Sequence, residues 1–556
     1  MYKCENCGAE LRFDPESRML ICDWCTARLS LSEYNEKNSE KTKTADERDL
    51  SKEEAAYYQN PEMPSSEDGH PTFTAHICTC PSCGGQLLTY EETAATFCSF
   101  CGATVLLESR VSDERRPDEL IPFKITKEQA AEEYRKLLRR SFFAPREMKK
   151  EEEIERFRGI YMPYWVYSFG EEGRVDVRGR RSHRAGDFIV TDNFSFDTGI
   201  KAEFEGISFD ASSSFADNLS EAIAPFDHNE AIDFDPGYIS GFYADTNDVT
   251  SDIYFNEALS AAKEYTADVL MDANGFRSYN VDPNELAGRI NLRAQQPKLA
   301  FFPVWFLSGR NKKGDRVSYA VVNGQNGKAA ADLPVDKKKL LIGTLILAVP
   351  IFLFLNLVWT LTPKTLVAMT MALGIVALIL ASRQLNVVYS FEHRLDDKGY
   401  QAVFKDAPQK VKERKQLTAG KLGQILIICA CIVCMIFSEY FLDGAFSFIL
   451  IAVIIIAICR PKKKKNSSGQ GKKIKVAKAP MKEKIKVLIK PIAGLIAAFI
   501  IFMADPVSDV YYYLVCMIAM LLIAWSFWDV LSMHNRLSTR PLPQFKKRGG
   551  ESFEKY

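Results

Sequence analysis

Read by the spacing of its apolar positions, the chain changes character twice. Up to residue 110 short apolar runs are threaded between cysteines; from 111 to 336 helical periodicity mixes with aromatic and β-branched runs; beyond Leu340 long apolar segments dominate. In the middle region Ala130, Tyr134, Leu137 and Leu138 fall on one face of a predicted helix over 127–143, and Thr126 with Gln129 forms a capping-box pattern at its start. The run GIYMPYWVY (159–167) reads as a strand and precedes the alternating RVDVR (174–178). A related pair recurs as LAFFPVWFL (299–307) and RVSYAVV (316–322), with Pro163 and Trp165 matched by Pro303 and Trp305 at an offset of 140. Two hairpin units in one sheet are therefore predicted, with turns at 309–315 and 323–327. A further helix is expected near Asp252 to Met271.

Six apolar segments follow, at about 340–361, 365–381, 425–442, 445–459, 487–503 and 510–528. Most approach the roughly 20 residues that span a bilayer. The fourth and fifth are short, and the fifth requires Lys490 to reach the interface. Tyr511 to Tyr513 and Trp525 with Trp528 bracket the sixth as interfacial aromatics do. The six hold few polar residues, chiefly Asn356 and Gln424, and no buried carboxylate or cation is expected in them. Transporters and proton channels use such groups, which argues against that class.

Charge sharpens the topology. Residues 337–556 carry 32 Lys/Arg against 13 Asp/Glu, leaving 39 against 58 for residues 1–336, so the net charge of zero is a cancellation of +19 and −19. Residues 460–486 alone hold twelve basic residues and one acid. With Lys337 to Lys339 before the first segment and Arg536, Arg540 and Lys546 to Arg548 after the last, the positive-inside rule places both termini and the long loops in the cytoplasm of a multi-pass cell-membrane protein. The start MYKCENCGAE has no basic region followed by an apolar stretch, so no cleaved signal peptide is expected. The 460–486 loop serves as a topology determinant and is a candidate binder of anionic lipid head groups and of the acidic N-terminal half.

Nine of the fourteen cysteines lie between Cys4 and Cys101. Cys4, Cys7, Cys22 and Cys25 form one set; Cys80, Cys83, Cys98 and Cys101 form a second, each displaced by 76 positions. The same offset relates Gly8 to Gly84, Leu11 to Leu87, Ile21 to Phe97 and Leu29 to Val105, so a whole motif is duplicated. Two CxxC knuckles offer a tetrahedral four-thiolate shell, which predicts two structural zinc ions with no open coordination position. About 30 residues bury too little apolar surface to fold alone, and metal supplies the missing stability. Cys78 and His76 break the repeat and are expected not to ligate.

Glu5, Glu10, Asp14, Glu16, Asp23, Glu91 and Glu92 surround the ligands, which favours protein partners over nucleic acid. The aspartates from Asp187 to Asp252 follow no calcium-loop spacing, Gly324 to Lys328 lacks the hydroxyl residue of a phosphate loop, and His183 and His228 have no nearby nucleophile. No catalytic residue or organic cofactor is expected.

The tandem ribbons together with IPFKITKEQA, YMPYWVY, FDPGYISGFYAD and PVWF followed by VVNGQNGK resemble a family of bacterial tandem zinc-ribbon integral membrane proteins, over most of residues 1–336. Members are often labelled TFIIB-type zinc-ribbon proteins or relatives of the primosomal helicase. This chain has no GxxxxGK[ST] sequence, and helicase activity is not expected. The resemblance implies a membrane-anchored adaptor tied to envelope-stress modules. The expected organisation is multidomain: zinc ribbons at 1–31 and 76–110 joined by a flexible linker (32–75), a cytoplasmic α+β domain with antiparallel hairpins (111–336), an all-α six-helix transmembrane region (337–533) and a cytoplasmic tail (534–556). The expected function is a non-enzymatic scaffold docking cytoplasmic proteins at the bilayer. The alternatives are a membrane-tethered nucleic-acid-binding regulator and, behind it, a channel or transporter.

Overall fold

A computed structural model of the chain describes residues 2–39, 71–89, 98–103, 108–310, 315–358, 362–395, 397–404, 412–415, 473–476 and 479–543. The first cysteine set sits on a three-stranded antiparallel sheet of β1 (Leu11–Asp14), β2 (Met19–Cys22) and β3 (Arg28–Leu29), followed by helix α1 (Leu31–Ser39). Alternation works here as it should for a half-buried sheet: Leu11 and Phe13 are buried while Arg12 between them is exposed.

The second set is built into a larger sheet. Its strands β4 (Thr72–Thr79), β5 (Gln86–Thr89) and β6 (Glu108–Arg115) pair with one another through β4. The chain continues through β7 (Glu119–Leu120), α2 (Lys127–Arg140), α3 (Glu151–Ile154), β8 (Arg158–Ala185), β9 (Phe188–Asp210), α4 (Asp217–Ile223), β10 (Ile232–Asp233), β11 (Tyr243–Asp245), α5 (Asp252–Ala273), α6 (Pro283–Arg289), β12 (Arg293–Ala294), β13 (Lys298–Arg310), β14 (Arg316–Asn323) and β15 (Ala329–Ala331). Among the described residues the main sheet has 13 strands, eight of them along the path β10-β7-β13-β8-β11-β5-β4-β6 and the other five branching from β8, β13 and β14. It is mixed, since β11 runs parallel to β8 and β7 parallel to β13. The α2 capping box forms, with Thr126 and Gln129 each satisfying the other's backbone N–H.

The two Pro-x-Trp strings lie antiparallel in this sheet, Pro303 opposite Tyr161 and Phe301 opposite Pro163. Both indole N–H groups are buried and donate to backbone carbonyls, Trp165 to Val249 at 2.7 Å and Trp305 to Ile125 at 2.8 Å. The first hairpin differs from expectation. Residues 159–167 and 174–178 belong to one continuous 28-residue strand, whose partner is the 23-residue β9. The expected signal misses β9 because it crosses a polar, aspartate-bearing stretch whose outer part has no core to face. Ile160 to Val166 are buried on both faces of the sheet, so they read as a continuous apolar run rather than an alternating one.

After the sheet come α7 (Lys337–Val358), α8 (Pro363–Glu392), the short α9 (Lys398–Phe404), an antiparallel pair β16 (Lys412–Lys415) and β17 (Lys473–Val476), α10 (Met481–Ala504), α11 (Asp509–Leu537) and β18 (Arg540–Pro541). Three of these, α8, α10 and α11, are long and apolar enough to cross a membrane. They correspond to the second, fifth and sixth expected segments. α7 covers the first and exposes its apolar side chains, while the expected spans at 425–442 and 445–459 lie outside the described residues. The described residues thus contain three candidate spans rather than six. Small residues set the close approaches: a Cβ on Gly374 would lie 2.8 Å from Leu495, and one on Gly494 3.3 Å from the Ala519 carbonyl.

The expectation of apolar spans without ionic groups is corrected at one place. Lys490 of α10 pairs with Asp529 of α11 at 2.5 Å, with its ammonium over the Trp525 ring at 4.2 Å. An isolated ammonium there would be costly; a carboxylate and an aromatic face on the neighbouring helix satisfy it. The helix ends are tied to the sheet. Glu392 receives Arg536 and, at 3.1 Å, Arg316 of β14, and β18 pairs with β14.

Candidate metal centres

Each knuckle is shaped by backbone hydrogen bonds before any metal is considered. In the first set the Gly8 amide donates to Cys4 O (2.8 Å) and the Thr26 amide to Cys22 O (2.9 Å); in the second, Gly84 donates to Cys80 O (2.8 Å) and Gly102 to Cys98 O (2.9 Å). The residue closing each turn has positive φ: 75° at Gly8, 57° at Thr26, 75° at Gly84 and 68° at Gly102. Thr26 is the position where the duplicated motif keeps this conformation without glycine, at a cost of about 1 kcal/mol.

The knuckles bring the sulfurs of each set within 4.8 Å of one another. Cys4 and Cys25 are 3.4 Å apart and Cys7 and Cys22 3.5 Å; Cys80 and Cys101 are 3.9 Å apart and Cys83 and Cys98 3.7 Å. Sulfurs about 2.3 Å from a tetrahedral zinc lie about 3.8 Å apart, so both quartets can hold one metal ion and their donors are consistent with zinc. The Cys25 amide lowers the Cys22 thiol to about 7, and the three other cysteines of the second set lower Cys101. Cys25 is drawn down by the Ala27 amide, but Cys4 and burial outweigh that and push it up to about 12. A thiolate ringed by thiols favours a cation that displaces their protons. Cys78 and His76 sit on β4 outside both quartets.

The two copies are held differently. All four cysteines of the second set are buried, whereas Cys7 is exposed and Cys25 partly so. Phe100, between Ser99 and Cys101, is 1% exposed, packs against Phe306 with ring centres 6.2 Å apart, and its carbonyl accepts the Tyr319 hydroxyl at 2.6 Å. Its counterpart 76 positions earlier is Trp24, which is 85% exposed. Sequence reasoning missed this contrast because both positions carry an aromatic between the same ligands.

One segment, the FDPGYISGFYAD string, carries both copies. Its centre receives the first ribbon: the Phe13 amide donates to Ser240 O (2.9 Å), Tyr2 and Asn35 donate to Asp235 (2.8 and 2.6 Å), and Phe13 meets Tyr238 edge-on at 5.0 Å. Its end, β11, pairs with β5 of the second ribbon, Ala244 opposite Leu88. VVNGQNGK forms the β14–β15 turn. There Asn323 donates to Ile223 O (3.0 Å) and Gln325 to Glu230 (2.6 Å), which locks the turn to the α4 side of the domain.

The chain is similar to the uncharacterized protein YdjG of Bacillus subtilis (strain 168), 28% identical over 343 residues that make up 61% of this chain and 91% of that protein. No family model and no solved structure matches the chain.

Proposed function

We propose that this protein is a non-enzymatic, membrane-anchored scaffold whose two quartets hold structural zinc ions and whose first ribbon docks a protein partner. The observation that carries the reading is the contrast between Trp24 and Phe100. The second copy of the motif uses its knuckle aromatic to seat itself on the domain; the first is attached by its strands and leaves the same position exposed. A rigidly mounted, exposed tryptophan is the side chain most often found anchoring protein interfaces. Four thiolates around each ion leave no position for substrate or water, which supports a structural role. The basic flanks of the apolar helices support placing the ribbons, the sheet and both termini in the cytoplasm, with the 460–486 loop against anionic head groups. Proteins co-purifying with the full chain from a detergent extract test the proposal. Trp24→Ser is expected to remove specific partners while two zinc ions per chain remain bound. An unchanged set of partners would refute docking through the first ribbon.

A further inference from the structure

The hairpin β8–β9 runs far beyond the domain it starts from. Packing on the rest of the domain ends near Gly179, where an added Cβ would lie 2.8 Å from Tyr279, and near Phe194, whose ring meets Tyr279 at 5.0 Å. Every residue from 180 to 193 is exposed, and the strands stay paired out to Ala185 opposite Phe188. Six cross-strand pairs give a free arm about 20 Å long. An unsupported two-stranded ribbon is only marginally stable in water, so an arm of this length implies a surface that covers it.

The chemistry of the arm indicates which surface. Its end carries Phe188, Ile189 and Val190 at 77%, 76% and 39% exposure. Ile189 pairs with Arg184 on one face, whereas Phe188 and Val190 lie on the other with Ala185 and His183, so the end is apolar all round. Behind it stand Arg180 and Arg184 on the first face, opposite Asn193 and Ile189, and Arg181 on the second, opposite Asp192; none of the three arginines makes an ion pair within 4 Å among the described residues. Asp192 faces His183 at 3.5 Å, and Asp187 in the turn opposes deep burial. A base-reading ribbon would present one polar face to a groove. An apolar end collared by cations on both faces matches a shallow site at the head-group boundary of an anionic bilayer.

The placement of the sheet agrees. α4 and the loop before it cover one sheet face, where Tyr164 and Ser220 are 2.9 Å apart, and their outer side meets the ends of the apolar helices: Arg394 donates to Ser213 O (3.2 Å) and Arg540 to Asn218 (2.7 Å). That face looks toward the apolar helices, which places the sheet next to their ends. We infer that the β8–β9 arm is a second membrane contact, inserting Phe188, Ile189 and Val190 among anionic lipids while Arg180, Arg181 and Arg184 engage their head groups. This rests on the reading that the apolar helices lie in a bilayer.

The test places the photoreactive residue p-benzoylphenylalanine at position 188 of the full chain in proteoliposomes. With phosphatidylglycerol-rich vesicles, irradiation is expected to give a lipid adduct well above that from the same probe at the exposed position 152. The yield should fall by roughly fivefold for each charge removed in Arg180→Ser and Arg181→Ser, and similarly in pure phosphatidylcholine. A yield at 188 no higher than at 152, an adduct only with a second copy of the chain, or transfer of the adduct to added duplex DNA would overturn the inference. Flotation of the same chain with its vesicles separates the premises. A chain that floats without a lipid adduct sinks the arm contact alone, and one that does not float sinks the membrane reading with it.

Discussion

Replacing Gly241 by alanine should release the first ribbon from the sheet while leaving its metal in place. Gly241 has φ +85°, and a Cβ built there lies 2.8 Å from the Cβ of Arg12 on β1. Carbon atoms in contact prefer about 3.5–4.0 Å, so β1 must retreat by about an ångström. The Arg12 Cβ is fixed by a strand that is itself held by the knuckles, and it cannot swing aside as a side-chain end would. Left-handed backbone costs alanine about 1–2 kcal/mol and the overlap about 1–3 kcal/mol more, roughly 2–5 kcal/mol together. The docking contacts at Ser240 and Asp235 contribute about 1 kcal/mol net apiece, which is the same order. Gly275→Ala isolates the strain, because Gly275 has φ +64° with nothing within 4 Å of its added Cβ. Hydrogen exchange on the full chain should show protection of residues 11–22 falling about 30-fold or more in Gly241→Ala and little in Gly275→Ala, with unchanged zinc content. Equal exchange in the two variants would show that β1 does not rest on the 240–241 backbone.

The unequal burial of the quartets predicts unequal lability: a chelator should strip one ion quickly, through exposed Cys7, and the other only as the sheet opens, whereas two equal release rates would contradict the asymmetry. Cys80→Ser should accordingly lower the melting temperature of the whole domain, while Cys4→Ser should affect chiefly residues 2–39; calorimetry on both variants decides. Burial raises Asp245, on the strand that holds the second ribbon, from 3.8 to about 7. The folded chain thus binds that proton more tightly than the unfolded chain. Its stabilising contribution is complete below about pH 4 and is lost as pH rises through about 7, a change of about 4 kcal/mol. Protection factors at 86–89, which remove the intrinsic base-catalysed rise of exchange with pH, should fall between pH 5.5 and 8 and stay level in Asp245→Asn; a level wild-type profile would refute the assignment. Lys490→Met leaves the Asp529 carboxylate unpaired and should lower thermal stability in detergent more than the double variant Lys490→Met/Asp529→Asn, a difference that a double-mutant cycle measures directly.

Much of this molecule is written locally. The 76-residue offset specifies two knuckle pairs because each knuckle closes over four or five residues by its own backbone hydrogen bonds. The α2 cap and the apolar lengths of α8, α10 and α11 depend equally on near neighbours. Other features join residues far apart in the chain, and no local pattern encodes them. Lys490 finds Asp529 because two helices cross there, and β5 joins the main sheet through a strand some 155 residues later. Trp24 and Phe100 illustrate the division most plainly. Spacing alone assigns both to the same place in the same motif; which one is exposed depends on whether Phe306 and Tyr319, more than two hundred residues downstream of Phe100, fold back to cover it.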